Sequence, residues 1–167
     1  DELFSLGKKR LDRMLSNGVT TLEAKSGYGL SLQDEVKILQ VMKALQENHP
    51  IEIVPTFLGA HTIPREFRDT RSRYIDLVIE EMIPRVAQEK LAEFCDVFCE
   101  EKAFTLEESK RILDRGKQYG LKSKIHADQL SPGGGAELAA EIGALSADHL
   151  EYVSREGIEK MAEKGVA

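Results

Sequence analysis

The feature that most constrains this chain is its alternation between two hydrophobic periods. Stretches with apolar residues at helical spacing are separated by short apolar runs of strand length, and the pattern repeats from end to end. Leu3, Leu6, Leu11, Met14 and Leu15 predict a helix from Glu2 to Ser16, and Asn17-Gly18 supplies the stop. Asp1-Glu2-Leu3-Phe4 already reads as the inside of that helix. A strand is predicted over Val19–Glu23, then a helix N-capped by Ser31 and running to about Glu47, with Val36, Ile38, Leu39, Met42 and Leu45 on its buried side. His49-Pro50 closes it, and Ile51–Leu58 reads as a second strand. One long helical region follows from about Asp69 to Ala92, with a break at Pro84. Phe94–Cys99 is the third strand. Thr105 and Glu108 form the capping box of a helix to Tyr119, stopped by Gly120. Leu121–His126 is the fourth strand, Gly135–Gly143 a helix, and Leu145–Leu150 a short fifth strand. Ser154 caps a last helix to Lys164, and Gly165-Val166-Ala167 reads as the start of another strand.

Strands that are apolar on both faces and alternate with helices imply a parallel sheet. An open doubly wound sheet and a closed barrel both satisfy that pattern. The reactive residues decide between them. Glu23 and Lys25, His61, Glu100, His126 and His149 each fall at or just past the C-terminal end of a strand. A doubly wound sheet gathers such residues only beside its switch point, whereas every strand of a barrel can deliver one to a common mouth. The expected fold is therefore α/β, a partial (β/α)8 barrel. A complete barrel needs eight units and about 250 residues. With five strands in 167 residues, and a helix at the start, residues 1–167 are expected to be the central part of a barrel domain, an internal piece without its first and last strands.

Composition narrows the function. With 23 basic against 29 acidic residues the net charge is −6, which argues against sequence-independent nucleic-acid binding. Arg65, Arg68, Arg71 and Arg73 cluster, but Glu66, Asp69 and Asp76 interleave, so the expectation is a solvated helix start. No apolar run approaches the ~18 residues of a membrane span, and no basic-then-apolar leader is seen. Cys95 and Cys99 read as buried, reduced thiols, and a cytoplasmic protein is expected.

Four histidines are candidates for chemistry. His49, at a helix end, is explained by structure alone. His61 follows Phe57-Leu58-Gly59-Ala60 at a strand rim; taken alone it suits a hydrogen-bonding partner as well as a ligand. His126, between Ile125 and the small Ala127, suits an inward metal ligand. His149 has a carboxylate beside it in Ser146-Ala147-Asp148-His149-Leu150 and by itself suits a core histidine.

Taken together, five strings are more specific: Glu-Ala-Lys-Ser-Gly-Tyr-Gly-Leu (23–30), Phe-Leu-Gly-Ala-His (57–61), Asp-Val-Phe-Cys-Glu (96–100), Lys-Ile-His-Ala-Asp-Gln-Leu (124–130) and Ser-Ala-Asp-His-Leu-Glu (146–151). In order and spacing they closely resemble those of the imidazolonepropionases, members of the amidohydrolase superfamily. The resemblance implies metal-dependent hydrolysis of the cyclic amide 4-imidazolone-5-propanoate to N-formimidoyl-L-glutamate in histidine degradation. It implies one divalent metal, zinc or iron, with His126 as a ligand, and His149 as the group that moves protons at the attacking water. Tyr28 and His61 would line the substrate pocket. Gln129 would contact the imidazolone ring, in a place where some relatives carry glutamate. The superfamily's His-x-His pair and final aspartate have no counterpart in this chain, nor does its small β-sandwich domain, so the stretch by itself is expected to be inactive. The implied partner is a small-molecule substrate, with no nucleic acid and no membrane, and a homodimer is the expected assembly of the full-length protein. Two alternatives stand beside this reading: another cyclic amidohydrolase or deaminase of the superfamily, and a non-catalytic α/β binding module.

Overall fold

Five parallel strands, β1 (Thr21–Lys25), β2 (Glu52–Ala60), β3 (Phe94–Cys99), β4 (Lys122–Ala127) and β5 (Ser146–His149), lie in one sheet in their order along the chain. The structure, a computed structural model, describes residues 2–167, so the helical reading of Asp1 falls outside the described residues. A doubly wound sheet reverses its winding at a switch point; strand order β1-β2-β3-β4-β5 does not. The sheet is also strongly curled. Four strand spacings would separate β1 from β5 by about 19 Å if it were flat. Yet Lys25 Nζ on β1 lies 3.2 Å from Asp148 Oδ2 on β5, and Lys124 Nζ on β4 lies 2.8 Å from Glu23 Oε2 on β1. Only a curved wall allows both. The fold is a half-barrel with its concave face turned inward, as the strand-end residues predicted. Ala167 donates to Leu145 O and accepts from Ala147 N, so the last residue lies beside β5, where no sixth strand is formed among the described residues.

The helices cover the convex face: α1 (Glu2–Ser16), α2 (Leu32–Asn48), α3 (Arg71–Leu77), α4 (Ile83–Gln88), α5 (Leu106–Gln118), α6 (Gly135–Ile142) and α7 (Arg155–Lys164). Ser31 accepts from Asp34 N, Thr105 and Glu108 form their capping box, and Ser154 accepts from Gly157 N, as their sequence positions predicted. Between strands and helices lies one large core that includes Leu39, Phe57, Tyr74, Met82, Phe104, Ile112 and Ile125, all fully buried. A smaller core of Leu11, Leu45, Ile51 and Ile53 seats α1. Each such side chain contributes roughly 1.5–3 kcal/mol by leaving water.

Three features differ from the sequence reading. First, β1 begins at Thr21 rather than Val19, because Val19 N closes the end of α1 on Met14 O and ladder pairing starts at Thr21↔Glu52. Second, the long helix is shorter and composite. A 3₁₀ segment (Arg65–Thr70) leads into α3, and a wide π turn (Val78–Met82) joins α3 to α4. Pro84 follows directly; it lacks an N–H and its ring crowds the preceding turn, which a widened turn accommodates. Third, Arg71 is more than a solvated charge. It grips Glu108 with both Nε and a terminal nitrogen, donates to Ala103 O, and lies over the Phe104 ring. This fastens α3 to the cap of α5.

The strands also depart from the expected pair of apolar faces: one face is apolar, and the other carries charged and histidine side chains beside Phe94 and Phe98. Cys95, Val97, Cys99, Ile125 and Ala127 point outward into the core, and both thiols are free and buried. The alternate positions Glu23, Lys25, Asp96, Lys124, His126 and Asp148 meet one another on the inner face.

Candidate active site

Parallel strands place all five C-terminal ends at one rim. Just below it is a charged network. Lys25 donates to Glu23 Oε1 (3.0 Å), Asp96 Oδ2 (2.8 Å) and Asp148 Oδ2 (3.2 Å). Lys124 and Thr56 both donate to Glu23. Burial works against the charge of Glu23, but Lys124, Thr56 and Lys25 outweigh it and hold the carboxyl at about 2. Burial would likewise discharge Lys25; Asp96, then Glu23 and Asp148, reverse that and keep it protonated well above the ordinary lysine value. Both lysines are occupied by carboxylates.

Above the network the rings converge. Tyr28 and His61 meet edge-on with centroids 5.1 Å apart, His61 and Phe98 at 6.1 Å, Phe98 and His126 at 6.3 Å, and His126 and His149 at 5.3 Å. Tyr28 is 81% exposed, so its ring stands over the opening rather than in the wall. His61 Nδ1 is 2.9 Å from Gly27 O and donates to it, which leaves Nε2 clear of that bond. Gly27 has φ 101°, and a Cβ there would come within 2.7 Å of Leu58 O and 3.1 Å of His61 Cβ. Only glycine lets the loop and the histidine approach this closely.

Backbone strain gathers at the same rim. Among the described non-glycine residues, Leu30, Asp128, His149 and Leu150 have positive φ at or just past strand ends, with only Lys90 elsewhere. His149 at φ 82° followed by Leu150 at φ 65° is a conformation that persists only when its surroundings hold it. Leu150 N on Ala127 O and Tyr152 N on Asp128 O supply that hold.

Asp96, His126 and Asp148 each offer a ligand atom, all within 4.8 Å of one another. Asp96 is fully buried; it accepts from Val97 N and from His126 Nδ1 at 3.1 Å. The imidazole is thereby fixed with Nε2 unencumbered, 3.9 Å from Asp148 Oδ2. A carboxylate-oriented histidine with a free second nitrogen fits a transition-metal ligand. Lys25 already neutralises both carboxylates, so His126 is the donor that most plainly suits a metal.

The candidate residues from the sequence thus fall in one place. Tyr28, His61, His126 and His149 share the rim, and Gln129 is on the loop that leaves β4 beside His126. His49 lies at the opposite end, 3.2 Å from Asp12 Oδ1 and accepting from Ile51 N, a structural position. Glu100, expected at the mouth, instead turns to the backbone of the next loop. The sequence reading gave no role to Asp96 as the partner of His126, nor to Phe98 as the spacer between His61 and His126. The available signal was a carboxylate in the middle of the apolar strand Phe94–Cys99. A separate cleft of about 630 Å³ opens between α5, α6 and α7, lined by Leu106, Lys110, Glu137 and Lys160, away from every candidate residue.

No family model matches the chain. In architecture it is similar to an adenine deaminase from Arthrobacter aurescens, with a TM-score of 0.67 over 98% of this chain and 50% of that one at 14% identity, a likeness of fold. In sequence it is 60% identical over 166 residues to the imidazolonepropionase of Brevibacillus brevis. It is 57% identical to that of Clostridium tetani and 56% to that of Thermoanaerobacter pseudethanolicus, covering 99% of this chain each time and 40% of those relatives. The chain spans about 39% of the length of the Brevibacillus relative. It is with the imidazolonepropionase family that the chain aligns, across 99% of its length.

Proposed function

We propose that this stretch forms the central wall of an enzyme that hydrolyses 4-imidazolone-5-propanoate to N-formimidoyl-L-glutamate. The observation that carries the proposal is the convergence of Tyr28, His61, His126 and His149 on one rim, in a chain 60% identical to an imidazolonepropionase. Hydrolysis adds water across the ring amide: its oxygen joins the carbonyl carbon, the C–N bond breaks, and a proton goes to the leaving nitrogen. A divalent metal, zinc or iron, held by His126 and by ligands beyond this chain, would activate water near neutral pH when bound. Asp96 keeps His126 in the right tautomer for that task. His149 would carry the proton from water to the ring nitrogen, a role supported by its ring lying 5.3 Å from that of His126. His61 Nε2 and the Tyr28 hydroxyl are free to meet polar atoms of the substrate, and Gln129 to meet its ring. Lys25 and Lys124 are committed to carboxylates, so the propanoate must find its cation elsewhere.

The same reading includes a cytoplasmic setting, supported by two free buried thiols, and a homodimeric full-length protein. No helix among the described residues is long and apolar enough to cross a membrane. The isolated 167-residue chain, with one histidine suited to a metal, should not turn over. The test is to offer the full-length protein the imidazolone, adenine and cytosine in parallel. Hydrolysis of the imidazolone alone is expected. Deamination of a nucleobase in its place would move the protein to another superfamily activity, and inertness toward all three would favour a binding module.

A further inference from the structure

Three carboxylates near the rim are buried without a cation. Glu35 is 0%, Asp128 1% and Glu100 5% exposed, and none forms an ion pair among the described residues. A buried charge is tolerated only where donors replace its water. Here the donors are loop backbone. Glu35, in the first turns of α2, takes Gly27 N on Oε2 (2.8 Å) and Gly29 N (2.7 Å) and Leu30 N (2.9 Å) on Oε1. Glu100, at the end of β3, takes Gln129 N and Leu130 N on Oε1, both at 2.8 Å, and the Ser131 hydroxyl on Oε2 at 2.9 Å. Asp128 takes Gly133 N, Gly135 N and Ala136 N, fastening the far side of the same loop.

The residues so fastened are informative. The three donors to Glu35 bracket Tyr28, whose own ring is largely in solvent and so is placed by its backbone. Leu30, one of the three, is in the strained left-handed region. Gly29 packs so tightly on α2 that a Cβ there would lie 2.7 Å from Glu35 N. Glu100 holds Gln129 by its own N–H. Glu100 therefore holds Gln129 through its backbone N–H, and Glu35 holds the residues on either side of Tyr28 without bonding Tyr28 itself.

Resting on the function proposed above, we infer that Glu35 and Glu100 are positioning residues for substrate: buried anions that set where Tyr28 and Gln129 stand over the pocket. An amide at either site keeps the shape but turns an NH₂ toward N–H donors, so it should release the loop without removing a side chain from the pocket.

The experiment uses the full-length, metal-loaded protein with Glu35→Gln and Glu100→Gln. KM for the imidazolone should rise about tenfold in each, with kcat much less changed, the pattern for lost binding. A merely structural defect would lower the active fraction, and so kcat, without moving KM. Amide exchange should quicken over residues 27–30 in the first variant and 129–131 in the second, each leaving the other loop as it was. Adding Glu35→Gln to Tyr28→Ala should raise KM little beyond Tyr28→Ala alone, since both act through one contact. Should a glutamine variant fail to fold, Glu35→Asp or Glu100→Asp keeps the charge on a side chain one carbon too short to reach all its donors, and the same KM rise is expected. Unchanged KM in variants of an active enzyme, or full additivity with Tyr28→Ala, overturns the inference while the functional reading stands. Wild-type protein inert toward the imidazolone defeats both the functional reading and the substrate role, and the exchange data then show whether the carboxylates hold the loops at all.

Discussion

At the scale of single residues, the rim separates groups suited to hold from groups suited to react. His126 has one nitrogen fixed by Asp96 and one free; His149 has a strained backbone and its Nδ1 3.6 Å from the exposed Glu151. These arrangements give different mutant signatures. Asp96→Ala in the full-length protein should weaken metal binding by about 10–100-fold, because the histidine loses its orienting acceptor. Titration with a competing chelator measures this, and unchanged affinity would show that Asp96 serves only Lys25. His149→Ala should leave metal content intact and slow hydrolysis by about 10²–10⁴-fold. Parallel metal analysis and steady-state rates check that pair of outcomes; loss of metal in His149→Ala would reassign it as a ligand. The histidines themselves could be picked from the sequence, since each ends an apolar run. Asp96 could not be given its role there, because its partner His126 is 30 residues away and on the next strand.

At the scale of elements, the order of strands and helices was legible and the details of the joins were not. Thr105 and Glu108 announce α5, and Gly143 announces the end of α6, because capping is chemistry between near neighbours. The π turn before Pro84 and the grip of Arg71 on Glu108 depend on packing between segments distant in sequence, so the local charge pattern misled. Glu108 belongs at once to the cap of α5 and to the Arg71 pair. Thr105→Ala should cost about 1 kcal/mol, the usual worth of a cap. Glu108→Ala should cost more, about 2 kcal/mol, since it also leaves the partly exposed Arg71 unpaired. Denaturant midpoints of the two variants decide; equal losses would mean that the Arg71 pair adds nothing.

At the scale of the whole molecule, the charged inner face is the part that no linear reading could supply, because it exists only once the sheet curls and brings β1 within reach of β5. Its pH behaviour follows from the shifts. Glu23 is held below the ordinary value of 4.5, at about 2, so its contribution is complete above about 4.5 and is lost as pH falls through about 2. Lys25 is shifted the other way, so its contribution is full at neutral pH and is lost only in strong alkali. The stability gap between wild type and Glu23→Gln should therefore be widest near neutrality and narrow between about pH 4.5 and 2. A gap independent of pH would argue against the network. One paired measurement on the full-length protein asks whether this rim is the wall of an imidazolone-hydrolysing site with His126 in its metal shell: bound metal and imidazolone hydrolysis, in wild type and in His126→Ala. Wild type should carry metal and turn over, and His126→Ala should lose both. Retention of metal and turnover by His126→Ala would contradict the claim.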